Sequence, residues 1–397
     1  MTLSERVINN LNERRQRLIR GEINSIPSPF TKFRSEFIGV EQGKYYLVTS
    51  STKCSKTQFT SFLFVYNSLM YAYQHPDKLS VKIFYFPLEE TPENILLRFI
   101  SHLLYEISDI RIAPTDLKST DNSKPVDQNI LNILEEEPYK NILDFFEKNV
   151  IFSSSTNPTG IYQECKQYAE KNGVIHTKKV QIKDDFGNIK DVDKFDYYEA
   201  NNPNEYKLII VDHVSLVSSE KGLTLKQSVD KLSEYCVLLR NRYKFSPVLI
   251  QQQAFAGESL DAFKQDKLQP SIGNLSDSKY PSRDAELTLG IFSPFKYNKP
   301  LWNGYDISKF KDNIRFVEIL TNREGQQGGT VALYFDGATC NFEELPAPNN
   351  IPEIKKVYDK LDKNNRSKVV MMCIKLLNKI NNKYDRITNG KKYSYKL

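Results

Sequence analysis

The chain has 397 residues, with 55 Lys and Arg against 49 Asp and Glu and a formal net charge of +6; that is room for one large domain with insertions or for a domain with appendages. The modest basic excess permits a polyanionic partner without requiring one, because scattered lysines ordinarily form a solvated face. No run reaches the roughly eighteen apolar residues of a membrane span, the N-terminal Met-Thr-Leu-Ser-Glu-Arg lacks a signal peptide's apolar core, and the five cysteines form no C-x-x-C pair, so a cytoplasmic protein with no membrane contact, zinc site or disulfide framework is expected.

Residues 4–20 read as a helix capped by Ser4, with Val7, Ile8, Leu11, Leu18 and Ile19 as a thin apolar stripe beside Arg14-Arg15-Gln16-Arg17. Such a stripe suits docking on a neighbour, in this chain or another subunit, and Ile26-Pro27-Ser28-Pro29 ends the helix. From residue 44 short apolar runs alternate with helical periodicity, the pattern of a parallel sheet covered by helices on both faces. Tyr45–Thr49 reads as a strand, and Phe59, Phe62, Leu63, Tyr66, Leu69, Met70 and Tyr73 as a helix after it. Strands are also predicted at Val81–Phe86, Leu208–Val211, Pro247–Ile250 and Leu287–Phe292, with a terminal hairpin of Ile314–Leu320 and Val331–Phe335. Between the second and third strands, Lys178–Tyr198 alternates charged and apolar residues around Asp185-Phe186-Gly187-Asn188, the pattern of an inserted hairpin at about 176–200. The tail from Ile351 is helical and lysine-rich, with Val369, Val370, Cys373, Ile374, Leu377 and Ile380 as its stripe. The expected division is therefore a helical segment and connection over 1–40, a large α/β domain over 41–345 and a helical tail over 346–397.

Between the first strand and its helix lies Ser50-Ser51-Thr52-Lys53-Cys54-Ser55-Lys56-Thr57. It has the length and Lys-Thr ending of a phosphate-binding loop, with serine at both glycine positions. In such a loop backbone N–H groups and the lysine hold phosphate oxygens while the following hydroxyl holds magnesium, here Lys56 and Thr57. Taken alone, the segment is equally a polar turn with a chance Lys-Thr. Tyr206-Lys207-Leu208-Ile209-Ile210-Val211-Asp212 ends in an acid that either orients magnesium or marks where the chain leaves the core. Phe84-Tyr85-Phe86-Pro87-Leu88-Glu89-Glu90 ends in two acids, one suited to polarising a water and one to the first turn of the helix starting at Thr91-Pro92-Glu93.

In order and spacing these segments resemble the RecA-like motor domain of DnaB-type replicative helicases, in particular divergent phage-type members. The family's Ser-Leu-Glu-Met with a following helical arginine is similar to Pro87-Leu88-Glu89-Glu90 with Arg98, and its Asp-Tyr-Leu-Gln-Leu to Asp212-His213-Val214-Ser215-Leu216. A family strand ending in Ser-Gln resembles Pro247-Val248-Leu249-Ile250-Gln251-Gln252-Gln253, placing the sensor glutamine at Gln253 with Gln252 as the nearest alternative. Asn274-Leu275-Ser276-Asp277-Ser278 and Asp284-Ala285-Glu286 match Asp-Leu-Arg-Glu-Ser and Asp-Ala-Asp without a gap, and Thr321-Asn322-Arg323-Glu324-Gly325 resembles the Lys-Gln-Arg-Asn-Gly hairpin, with the lysine replaced by Thr321.

The resemblance covers residues 20–345 and implies a RecA-like P-loop NTPase core, ATP and Mg2+ as cofactors, and a ring-shaped homo-oligomer, a hexamer, moving on single-stranded DNA among replisome partners. The family's globular N-terminal domain has no expected counterpart, and residues 4–20 resemble its linker helix. By the resemblance Ser50, Ser51, Thr52, Lys53, Cys54, Ser55, Lys56 and Thr57 bind nucleotide, and Thr57 and Asp212 hold the metal. Glu89 positions water, Gln253 couples the γ-phosphate to a DNA loop at 254–273 that includes Lys264 and Lys267, and Arg323 reaches the neighbouring subunit's nucleotide. Two other readings stay open: a RecA-fold nucleotide-binding protein with weak or no hydrolysis serving assembly, and a recombinase-like filament ATPase.

Overall fold

The computed structural model describes residues 2–183, 189–254 and 267–362. Its centre, among these residues, is a nine-stranded sheet. We number its strands β1 (Tyr46–Ser50), β2 (Ser80–Pro87), β3 (Val150–Phe152), β4 (Glu205–Asp212), β5 (Phe245–Gln252), β6 (Leu287–Phe292), β7 (Ile314–Asn322), β8 (Thr330–Asp336) and β9 (Asn341–Glu344). Their order across the sheet is β9-β8-β7-β6-β1-β5-β4-β2-β3. β6, β1, β5, β4, β2 and β3 are mutually parallel, and β7 pairs antiparallel with β6. This is the expected α/β RecA-like architecture with its terminal antiparallel hairpin.

The parallel strands are apolar throughout because both faces are covered. Within β1, Tyr46 and Val48 enter one core and Leu47 the other, the two-residue alternation of a strand. The first face carries α2, which runs through Lys56–Thr60, a π-helical Ser61–Tyr66 and Asn67–Gln74, together with α3 (Pro92–Ser108) and α4 (Tyr139–Asn149). The second carries α5 (Pro158–Lys171) and α6 (Leu225–Tyr243). Phe62, Leu63, Phe64, Val65 and Tyr66 of α2 are all buried, which one helix face cannot achieve. The stretch around Phe30, Phe33 and Phe37 covers the outer side, with the Phe30 and Phe59 rings 6.1 Å apart and Phe37 and Phe64 6.4 Å apart.

The N-terminal helix α1 (Leu3–Ile19) starts from Thr2, whose hydroxyl and the Glu5 carboxylate form a reciprocal capping box; the cap therefore lies two residues before the expected Ser4. Val7, Ile8, Leu11, Leu18 and Ile19 are 49–62% exposed. Gly173–Lys183 and Ile189–Ala200 form a two-stranded antiparallel ribbon; its turn around Asp185 lies outside the described residues, as does the stripe of the tail from Val369 to Ile380. Residues 1–293 and 315–344 form one compact unit and residues 294–314 and 345–397 a second. Within the second, Leu301–Trp302 pairs with Tyr305–Asp306, and the Phe310 and Tyr358 rings lie 5.1 Å apart. Four cysteines, Cys54, Cys165, Cys236 and Cys340, are buried free thiols, and no helix among the described residues is long and apolar enough to cross a membrane.

One buried group makes the core acid-sensitive. His102 on α3 is 5% exposed, packed on Tyr66 and Phe62, and burial lowers its pKa to about 4. The unfolded chain, titrating near 6.5, binds more protons than the folded one between about pH 6.5 and 4, so this contribution to stability is complete above that window and is lost as pH falls through it. The loss amounts to about 3 kcal/mol at most. Chemical denaturation at pH 7 and pH 4.5 is expected to show a smaller acid destabilisation for His102→Phe than for the wild-type chain; an equal loss in both would assign the acid sensitivity to other groups.

Candidate nucleotide site

Parallel register brings the carboxyl ends of five strands to one edge of the sheet. Ser50 is level with Gln252 of β5 and Ile291 of β6, and Pro87 of β2 is level with Asp212 of β4. Open α/β sheets bind ligands at this edge. The 50–57 loop leaves β1 here and turns directly into α2, so its backbone N–H groups meet a helix N-terminus.

Within the loop Ser55 sits at φ 67°, ψ 27°, the left-handed region in which phosphate loops carry glycine. The other serine at a glycine position, Ser50, stays in strand conformation, and its hydroxyl donates to the Ser51 carbonyl at 2.8 Å. Lys53 is the second left-handed residue, at φ 59°. Non-glycine residues there cost about 1–2 kcal/mol each, so strain falls on Lys53 and Ser55 rather than on the two serines the motif singles out. Ser51 and Cys54 are buried, Thr52 is half-buried and Lys53 is exposed.

Lys56 is buried at the mouth of the loop. Thr57 Oγ1 donates to Asp212 Oδ1 at 3.1 Å, and Tyr85 Oη donates to the other carboxylate oxygen at 3.3 Å. The structure thus joins the two residues expected to hold metal although they stand 155 positions apart. Burial, helped by Glu89 and Glu90 nearby, raises the Asp212 pKa to about 6, while the Thr57 hydrogen bond and Lys56 oppose the rise. A divalent cation would reverse that balance.

The two acids after β2 divide their tasks. Glu90 forms an ion pair with Arg98 of α3. Glu89 remains 46% exposed, with its carboxylate 3.7 Å from His213 Nε2 and its backbone N–H donating to the Asp212 carbonyl at 3.2 Å. Burial and Lys56 hold the His213 pKa down, with Glu89 working against them. Glu89 is therefore the acid that faces the open edge.

Gln253 is buried and bonded on both sides. Its Nε2 donates to Thr49 Oγ1 at 2.9 Å, and its Oε1 accepts from the Ser271 N–H at 3.1 Å. It ties the strand of the phosphate loop to the far end of the 254–273 segment, whose base is closed by the Ala254 N–H bond to the Asn274 carbonyl and the Gln253–Leu275 bridge. Lys267 is exposed beside that base, and Lys264 lies outside the described residues. The downstream acids are structural: Asp284 accepts from Ser233 at 2.6 Å, and Glu286 accepts from the Tyr45 N–H at 2.6 Å and pairs with Arg240.

Arg323 is not at this edge. Asn322 pairs with Leu287, which is level with Tyr46, so Arg323 lies beyond the opposite end of β1. The strand alone separates it from Ser50 by about 13 Å. Arg323 is exposed, donating to the Arg283 carbonyl. Thr321, at the position of the family's lysine, turns its hydroxyl onto Thr288 Oγ1 at 2.8 Å, a bond inside the sheet.

Sequence reasoning missed Arg315. It is 1% exposed, lies beside Phe316, which pairs with Phe292 at the carboxyl edge, and reaches Ser55 Oγ with Nε at 3.3 Å and Nη2 at 3.1 Å. The signal was a lone arginine inside the apolar run Ile314-Arg315-Phe316-Val317.

No family model and no curated protein matches the chain. Among solved structures it superposes on the separately solved ATPase domain of a DnaB-like helicase with a TM-score of 0.57, covering 87% of this chain and 99% of that one at 14% identity. It also superposes on a DnaB-like replicative helicase, described with its interactions with primase, with a TM-score of 0.58, covering 86% of this chain and 66% of that one at 16% identity. The fold is that of a DnaB-type helicase ATPase domain. In the frame of this DnaB-type fold the nucleotide-site residues gather at one sheet edge and Arg323 stands at the other.

Proposed function

We propose that the protein is an ATP-dependent motor of the DnaB type, assembling as a ring and moving along single-stranded DNA. The observation that carries this reading is the Thr57–Asp212 hydrogen bond beside the buried Lys56 at the carboxyl edge of the sheet, the arrangement a phosphate loop and a metal-orienting acid require. Thr57 and Asp212 present hard oxygen ligands, few in number, which suits Mg2+ completed by water and phosphate; when bound, the ion neutralises charge on the phosphate oxygens. Lys56 and the loop N–H groups bind the phosphates, Glu89 orients the attacking water, and Gln253 links the site to the segment that contacts DNA. The opposite-edge position of Arg323 supports its action on a neighbouring subunit. The exposed stripe of α1 supports docking on that neighbour, with residues 41–345 as the ATPase domain and 346–397 as an appended tail.

A second reading, nucleotide binding with little hydrolysis, is favoured by the left-handed Lys53 and Ser55. The two separate in one experiment: ATP turnover and forked-DNA unwinding at increasing protein concentration, with and without single-stranded DNA. The motor reading predicts DNA-stimulated turnover that rises more steeply than protein concentration. Nucleotide binding without turnover under every condition would sink it and leave the assembly role.

A further inference from the structure

The Ser55 hydroxyl has no counterpart in a glycine loop, and it is the atom to which Arg315 donates. Ser55 and Arg315 stand 260 positions apart, so no local turn preference brings them together. The guanidinium is held from its other side by the Phe335 ring, 4.6 Å from its centroid, and the side chain is buried with 1% exposure. A flat, permanently charged fork with several fixed donors locks one acceptor geometry far better than a flexible lysine does. Glycine reaches the left-handed turn at no steric cost, whereas serine there needs something to hold it.

We propose that Arg315 is a positioning residue for the phosphate loop: by donating to Ser55 Oγ it fixes the left-handed turn before Lys56, so that the loop N–H groups and Lys56 converge on phosphate without the glycine. Ser55 and Arg315 are then a matched pair, each making the other tolerable. The arginine gains an acceptor in a buried place, and the serine gains the anchor its backbone requires. This inference rests on the nucleotide-site reading, and its consequence is specific: the need for Arg315 depends on which residue occupies position 55.

The test is a double-mutant cycle on the full chain, reading the affinity for a non-hydrolysable ATP analogue with Mg2+ by calorimetry and folding by thermal melt. Arg315→Met is expected to weaken binding about tenfold in the wild-type background, the scale of a lost charge-assisted hydrogen bond. Ser55→Gly is expected to bind more tightly than wild type, and in that background Arg315→Met is expected to cost less than about threefold. An equal tenfold loss in both backgrounds would overturn the inference, since Arg315 would then act on phosphate directly or on the fold as a whole. Should Arg315→Met fail to fold, Arg315→Lys in the same two backgrounds makes the comparison: it keeps the charge but loses the fork, and a loss relieved by Ser55→Gly supports the pairing while an unrelieved loss refutes it. Absence of analogue binding by the wild-type protein would remove the nucleotide site and the pairing together, whereas binding without coupling removes the pairing alone.

Discussion

Lys56→Ala is expected to lower ATP turnover by at least ~100-fold, and Glu89→Gln to do so while leaving nucleotide binding measurable. The reasons differ. Lys56 is the buried cation at the mouth of the loop, and losing one preorganised charge donor from a site of this kind costs about 100- to 1,000-fold in rate. It also removes ground-state attraction for phosphate, so affinity falls with rate. Glu89 is exposed at the edge, anchored through its own N–H to the Asp212 carbonyl; its carboxylate acts on water rather than nucleotide, and losing it costs about 100- to 10,000-fold in turnover. Steady-state hydrolysis paired with analogue binding separates the cases. Glu90→Gln is the contrasting variant: because Glu90 pairs with Arg98, its loss is expected in the thermal melt before it appears in the chemistry. If Glu90→Gln abolished turnover and Glu89→Gln did not, the assignment of the water-positioning acid would be reversed.

The parts legible in the sequence share a physical cause. A strand buried on both faces must be apolar at every position, so Leu208 to Val211 and Val248 to Ile250 announce central strands, and a parallel sheet allows few topologies for them. The carboxyl-edge rule then places Asp212 beside the loop of Ser50 to Thr57 before any coordinates. The short edge strands Val150–Phe152 and Asn341–Glu344 escape notice because three or four residues show no period. The choice between Glu89 and Glu90 stays open in the sequence because it depends on where Arg98 points from the next helix, a tertiary fact. Analogy with glycine positions puts the loop's strain on Ser50 and Ser55, yet a strand ending at Ser50 carries the extended conformation through it and transfers the second left-handed turn to Lys53. Arg315 is hidden for the most general reason: a single charged residue in a strand ordinarily reads as solvent-facing, and only its distant acceptor shows otherwise.

The second large effect concerns Arg323, and the decisive measurement is made on mixtures. Arg323→Ala is expected to reduce turnover about 1,000-fold or more, the scale of a charge supplied to a transferring phosphoryl group, without changing thermal stability, since the side chain is exposed and its backbone N–H bond to Glu286 survives the substitution. Because Arg323 and Lys56 lie at opposite ends of β1, one subunit cannot bring both to the same nucleotide. A subunit with Arg323→Ala keeps an intact phosphate loop but fails its neighbour; a subunit with Lys56→Ala has the reverse defect. Mixing the two inactive variants is therefore expected to restore part of the wild-type turnover, at interfaces where the Lys56-containing loop of one subunit meets the Arg323 of the other. With random mixing at equal concentration, one interface in four has both groups, so recovery approaches about a quarter of wild type if sites act independently and less if they must fire in concert. Thr321 sharpens this expectation: its hydroxyl is committed to Thr288, so the trans contact on this strand falls to Arg323, with no lysine to sustain a residual rate. No recovery in mixtures shown by size-exclusion chromatography to contain both variants in one oligomer would exclude the trans role of Arg323.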